Sequence, residues 1–375
     1  MSDALALIVD LVRTGRASTA QELSGETGLN RRRIGQLVEQ GLDLGLLCGE
    51  AEPGHAPARL RFKHERGRFA VVSFGALDLD FALTDLSGTV LASGREGWDA
   101  TPGPVASLGY AFSRLEALIA ADPAPVWGTA IGVPEAADWN SLETAVAAAR
   151  FEAAVCVHTG IGLEALGELA LRREQNEGLL YVTVGTRLSA VLVARSDGGS
   201  IVNRTVENLS SREGNLVRSA ETAARERRSD FLGARLTEAG LLRPGDIADG
   251  AERGDPECRR LLVMSAQDAG EAIARMVTTL NPASVVVGGS VARNPDFLAT
   301  LRATAYRHSL PQATRDLEIA PAAGGSSSAF HGGVEALKRR VFGPKMATWI
   351  RKGCPLGTVS EPSAGKAAEA DRSLA

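Results

Sequence analysis

The first sixty residues alternate short helical patterns with polar turns. Leu5, Ile8, Leu11 and Val12 fall on one stripe of a helix over residues 3–14, which Gly15 ends. Ser18 with Gln21 and Thr19 with Glu22 form two overlapping capping boxes, so a second, short helix starts there and stops at Gly28. Asn30 caps a third helix, in which Ile34, Leu37 and Val38 recur at spacings of three and four. Two short helices joined by a glycine-bearing turn are the helix-turn-helix signature. After Gly45, residues 46–50 and 58–62 read as two strands around a Pro53-Gly54 turn, which would be a wing.

From Phe69 the period changes. Residues 69–76 read as a strand, and the segment 79–91 turns back at Asp85–Gly88. Further strands are expected at 126–133, 179–185 and 284–289, and helices at 105–120, 141–153 and 257–280. Strands alternating with helices predict α/β layers. The expected organisation is therefore a winged helix-turn-helix over 1–62, a linker over 63–68 and an α/β body over 69–342. From about 343 the periodicity is lost, and residues 343–375 read as a mostly disordered tail in which Met346 to Trp349 could dock on the body.

Composition narrows the class. A chain of 375 residues, 44% hydrophobic and 23% charged, suits one small and one or two larger globular domains. No apolar run reaches the roughly 18 residues that span a bilayer, and no basic n-region precedes an apolar h-region, so a cytoplasmic protein is expected. Cys48, Cys156, Cys258 and Cys354 stand apart, with no CxxC pair and no histidine at metal spacing. Reduced structural thiols are the expectation.

The net charge of −4 excludes indiscriminate polyanion binding over the whole surface, so any nucleic-acid contact is local. Residues 1–62 hold seven arginines against eight carboxylates. Three of the seven, Arg31, Arg32 and Arg33, sit in the first turn of the third helix, where a recognition helix meets bases and phosphates. Cations at a helix N-terminus oppose the macrodipole by about 0.3–1 kcal/mol each. A phosphate or a guanine edge would offset that cost, whereas the alternative is a merely solvated cationic face. Gln36, one turn on, could read adenine, and Thr19 could hold a phosphate. The candidate contacts to a double-stranded DNA operator are Thr19, Asn30, Arg31, Arg32, Arg33, Gln36, His55 and Arg59.

The order of motifs resembles one family. The winged helix, the strand leading to an Asp-Leu-Ser-Gly turn, Gly132-Val133-Pro134, Val184-Gly185-Thr186 and the run from Asn281 to Gly289 resemble the ROK family of sugar kinases and sugar-responsive repressors. That resemblance extends to about residue 341 and implies two α/β lobes of the actin-like, sugar-kinase type around a cleft.

The same resemblance exposes departures. A ROK kinase ends its first strand in Asp-x-Gly, but Val72-Ser73-Phe74-Gly75 stands here. Counting back from Ala165-Leu166-Gly167-Glu168 places Thr159 and Gly160 at the family's Asn-Asp pair, whose Asp is the general base, and glycine accepts no proton. Arg212-Glu213-Gly214-Asn215 replaces the zinc motif Glu-x-Gly-His, without the cysteines that follow it. The resemblance thus implies no catalysis, no zinc and no cofactor, and an eroded effector cleft at Thr159, Gly160, Arg212, Asn215 and Glu221. Arg212 would suit an anionic effector or is a solvated surface charge. Gly288-Gly289 and Gly324 to Ser328 would approach a phosphate or simply make tight turns. The leading expectation is a homodimeric, non-catalytic transcriptional regulator of repressor type; the alternatives are a carbohydrate kinase with an N-terminal appendage and an interaction scaffold.

Overall fold

The computed structural model describes residues 2–49, 59–75, 77–98, 103–122, 124–134, 154–172, 178–185, 187–195, 201–206, 215–342 and 346–352. His55, Arg212, the helix expected over 141–153 and the residues from 353 onward lie outside the described residues.

The head follows from short-range signals. Helix α1 (Ser2–Arg13) buries Leu5, Ile8, Leu11 and Val12. Of the two capping boxes, the Thr19 and Glu22 pair forms: Thr19 Oγ1 accepts from the Glu22 amide at 3.2 Å at the start of α2 (Ala20–Thr27). Gly28 ends α2 in the left-handed conformation, at φ 68°. The Asn30 side chain accepts from the Arg33 amide at 2.9 Å and opens α3 (Arg31–Asp43). β1 (Leu47–Gly49) and β2 (Leu60–Phe62) pair antiparallel as the wing.

The body is two sheets built to one plan. β3 (Arg68–Phe74), β4 (Asp78–Asp85) and β5 (Val90–Gly97) form an antiparallel meander, the Asp85 carboxylate fixing the turn by accepting three amides at 2.9 Å. Helix α4 (Pro104–Ala120) follows, then β6 (Val126–Val133), parallel to β3, and β7 (Ala154–Thr159), giving the order β5-β4-β3-β6-β7. After α5 (Gly160–Leu171) the second sheet repeats the plan. β8 (Leu179–Val184), β9 (Leu188–Arg195) and β10 (Ile201–Val206) form a meander. Helices α6 (Leu216–Arg225), α7 (Asp230–Ala239), α8 (Pro244–Glu252) and α9 (Pro256–Leu280) lead to β11 (Ser284–Gly288). Helices α10 (Pro295–His308) and α11 (Pro311–Thr314) precede β12 (Glu318–Pro321), and the order is β10-β9-β8-β11-β12. Matching strand order and direction make the two lobes a topological duplication, with right-handed crossovers the rule for such parallel connections.

Two helices form the seam between the lobes. α12 (Ser328–Arg340) lies on β3, β6 and β7, and crosses α5, whose other side packs on β8 and β9. The crossing is backbone against backbone: a Cβ on Gly332 would stand 1.8 Å from the Leu163 carbonyl oxygen, and one on Gly167 2.0 Å from that of Ser328.

Two expectations need correction. The span 63–68, expected as a linker, holds a short 3₁₀ turn over His64–Arg66 and the first residue of β3. The span from 343, expected as a mostly disordered tail, contains helix α13 (Met346–Lys352), which packs on α1 and buries Met346 and Trp349, the stretch expected to dock. One apolar cluster explains both. Leu5, Leu11, Phe62, Phe69, Trp127, Leu337, Phe342, Met346 and Trp349 are buried together, so the head shares its core with the first lobe. Phe342 lies edge-on to Phe62, the Trp349 ring is 6.1 Å from that of Trp127, and the Arg13 guanidinium sits 4.4 Å above Phe342. Gly67 carries no side chain because the Trp127 indole fills that place, 2.3 Å from where a Cβ would stand. Replacing Trp349 with alanine should therefore destabilise the chain by about 3–5 kcal/mol. Chemical denaturation of the two proteins measures this, and an unchanged midpoint would remove α13 from the core.

Candidate nucleic-acid interface and interlobe cleft

The arginines of α3 stand where the sequence places them. Asn30 fixes the helix start, so Arg31 and Arg32 project from the first turn, exposed, with Arg33 half-buried beside them. Among the described residues no ion pair involves these three, whereas the head's Arg13 is held by Asp10 at 2.6 Å and Arg16 by Glu26 at 2.7 Å. Arg33 Nη1 donates to Gln36 Oε1 at 3.3 Å, which couples the two candidate base-reading side chains. No acidic residue occupies the first turn of α3. The result is a concentrated positive end on the exposed face of the helix, with no ion-pair partner among the described residues.

The wing closes on the start of α2. Arg59 Nε donates to Ser18 Oγ at 3.2 Å, and the Leu60 amide to the Ser18 carbonyl at 2.7 Å. Thr19 and Arg59 are thereby brought to one edge of the head. Ser18, read from the sequence only as a cap, is the hinge point of that arrangement. Glu22, whose carboxylate accepts from the Ser18 and Thr19 amides, is held below the usual carboxylate range by those bonds.

The cleft residues are largely spent on structure. Thr159 caps α5, its Oγ1 accepting from the Gly162 amide at 3.1 Å. Gly160 packs on the end of β3: a Cβ there would lie 3.1 Å from the Phe74 carbonyl oxygen. Asn215 caps α6 through the Arg218 amide at 3.0 Å, and Glu221 pairs with Arg225 one turn on at 3.2 Å. Glu168, fully buried, accepts from the Ala323 amide, the Gly324 amide and Ser328 Oγ at 2.9, 2.7 and 2.8 Å. The amide of Gly324 is thus engaged by a carboxylate, and the Gly324–Ser328 turn is a structural clamp at the seam.

Charged groups of the two lobes meet. Arg243, at the start of α8 in the second lobe, pairs with Asp78 of β4 in the first at 2.7 Å. Asp80, on the same face of β4, holds Arg95 of the paired strand β5 at 2.5 Å. Behind them Glu164 of α5 shares a hydrogen bond with the Tyr181 hydroxyl. Burial pushes the Glu164 carboxyl up to about 7, with the Tyr181 bond opposing, Asp80 adding and Arg95 opposing. Burial likewise raises the Tyr181 hydroxyl, against which Gly288 packs without a side chain. None of these pairs was legible from spacing.

A raised carboxyl binds its proton more tightly in the folded chain. Stability from Glu164 is therefore complete below its unfolded value and is lost as pH rises through about 7. Melting temperatures measured from pH 5 to 8 should fall across this window, and Glu164→Gln should flatten the dependence. A slope unaltered in that variant would show that another group titrates.

The remaining chemistry is sparse. Burial, then the nearby Asp255 charge, pushes the Cys258 thiol up to about 12, so it stays protonated. Among the described residues no three His, Cys, Asp or Glu side chains are grouped to hold a metal ion. Among them too, no helix is long and apolar enough to cross a membrane.

The chain has recognisable likenesses. Residues 217–340 match the model of the ROK family. No curated protein matches the sequence. The crystal structure of a ROK family transcriptional regulator, described as a homologue of the E. coli Mlc protein, aligns with a TM-score of 0.69 at 17% identity. That alignment covers 92% of this chain and 98% of the regulator, an extent that takes in part of the head. A ROK family glucokinase from Streptomyces griseus, in complex with glucose and AMPPNP, aligns with a TM-score of 0.55 at 16% identity over 72% of this chain and 99% of that one. A glucokinase from Balamuthia mandrillaris in complex with glucose gives 0.52 at 13% identity, over 72% and 94%. Identities this low bear on fold alone. Residues 217–340 thus match the ROK family model, within a two-lobed α/β fold shared with these structures and carrying a helix-turn-helix head.

Proposed function

We propose that this chain is a transcriptional regulator of the ROK type that binds duplex DNA through the first turn of α3. The observation that carries the reading is the group of arginines at that turn, with no carboxylate partner among the described residues. Arg13 and Arg16 of the head are neutralised by Asp10 and Glu26, whereas the charge at Arg31 to Arg33 is open to an external anion. Arg59 and Thr19 supply phosphate contacts at the start of α2, and Gln36 joins Arg33 in reading base edges. The body dimerises the heads over two half-sites. Its cleft is not catalytic, because Gly160 stands at the position of the general base and Ser73 at that of the first-strand acid. Repression, by occupying a promoter, is the expected regulatory sense.

Genome-wide mapping of DNA bound by the chain tests the reading. Discrete peaks sharing one motif support it; uniform background contradicts it. A coupled assay for ATP-dependent phosphorylation of hexoses should give no turnover above a protein-free control, and steady sugar phosphate formation would restore the kinase alternative.

A further inference from the structure

Helix α3 contains two glycines with opposite explanations. A Cβ on Gly41 would meet Leu47 Cδ1 at 2.7 Å, so its absence is demanded by the packing of the head. Gly35 has no such demand. It is exposed, lies in the helix interior, and beyond its own turn has no atom within 4 Å of where a Cβ would stand. Glycine in a helix interior is destabilising relative to alanine, so folding alone favours a side chain here.

The surroundings of Gly35 supply a reason. It follows Arg31 and Arg32 by four and three residues and so lies beneath them on the same helical face. Gln36 is its neighbour, also exposed. Gly35 is therefore a bare patch of main chain inside the ring of side chains proposed to enter the groove. Close approach of backbone to a ligand is the setting in which a missing Cβ is useful.

We infer that the main chain of α3 at Gly35 packs directly against base-pair edges on the floor of the major groove. The inference rests on the reading of α3 as a recognition helix. The missing methyl lets the helix sit deeper, so that Arg31, Arg32 and Gln36 reach the bases rather than stopping at the phosphates. Gly35 is a positioning residue whose contribution is absence of bulk.

The test separates folding from binding. Full-length protein is used to select a duplex from a random pool, and anisotropy titrations compare wild type, Gly35→Ala and Gly109→Ala on that duplex and on an unrelated one. Gly109, equally open but in α4 of the body, controls for the general effect of alanine in a helix. Both variants should melt about 2 °C higher than wild type. Gly35→Ala alone should bind the selected duplex about tenfold more weakly, the scale of one lost base contact, while binding the unrelated duplex as before. Wild-type affinity of Gly35→Ala for the selected duplex overturns the inference, as does a lower melting temperature, which would reveal an internal role. If the variant with Arg31, Arg32 and Arg33 all changed to alanine loses the duplex but Gly35→Ala does not, the recognition-helix reading survives and this inference fails. A pool in which wild type enriches nothing removes both.

Discussion

Changing Arg31, Arg32 and Arg33 together to alanine should abolish sequence-specific DNA binding and leave the fold intact or slightly more stable. The two halves of this expectation come from one geometry. The three guanidinium groups stand at the positive end of α3 with no acidic residue in the first turn, so removing them relieves about 0.3–1 kcal/mol of dipole repulsion each. Alanine is also the best helix former. Arginine to guanine is the commonest specific base contact, worth about 1–3 kcal/mol. Loss of even two such contacts weakens operator binding by at least about thirtyfold. Gel-shift titration on a selected duplex, with thermal melting alongside, reads both quantities. Unchanged affinity would show that the arginines are a solvated face and that another surface binds.

Changing Gly332 to alanine should give the largest loss of stability of any glycine-to-alanine change among the described residues. The new Cβ would stand 1.8 Å from the carbonyl oxygen of Leu163, and the neighbouring contact at Gly167 is backbone as well, so no side chain can turn aside. The helices must separate instead. α5 touches both sheets and α12 lies on the first, so separating them opens the seam between the lobes. It also frees Ser328 from the buried Glu168 carboxylate, which then lacks one of its donors. At the far end α12 continues into Val341 and Phe342, which belong to the core shared with the head. The expected cost is at least ~3 kcal/mol, above the usual range for an overpacked methyl because the obstacle is main chain. Denaturant titration followed by circular dichroism measures it. A midpoint within error of wild type would mean that the crossing is looser than described.

The head was legible because its signals are local. Thr19 with Glu22, Gly28 and Asn30 fix two helices within a dozen residues, and each cap forms where the residue types require it. The α/β alternation of the body was legible at β3, β6, β8 and β11, which are short apolar runs bounded by turns, and not at β7, β9, β10 and β12. What escaped reading depends on partners far apart in the chain. Polar residues 63–68 look like a linker until Trp127, Phe342 and Trp349 are brought against the head. Helix α13 has seven residues, too few for a period to show, so only the docking of Met346 to Trp349, and not the helix, could be read ahead. The clasp between Asp78 and Arg243 joins residues of different lobes, and neither looks unusual in sequence. Thr159 and Asn215 carry two signals: motif position assigns them to the cleft, and residue type suggests the helix caps that their side chains form.

The lobes bear on how DNA binding would be regulated. Because the head shares a core with the first lobe, any rearrangement across the Asp78 and Arg243 clasp moves the second lobe relative to head and first lobe together. In a dimer held through the second lobe, that motion would change the spacing of the two heads. An effector acts only through a difference in affinity between such states.

The central claim is that this chain recognises a DNA sequence through α3. Repeated selection of purified full-length protein on a random duplex pool, read by sequencing, tests it most directly. Enrichment of one motif with two half-sites related by a dyad is expected, with loss of that enrichment in the Arg31, Arg32 and Arg33 alanine variant. A pool that stays random with the wild-type protein, or a motif enriched equally by the variant, would contradict it.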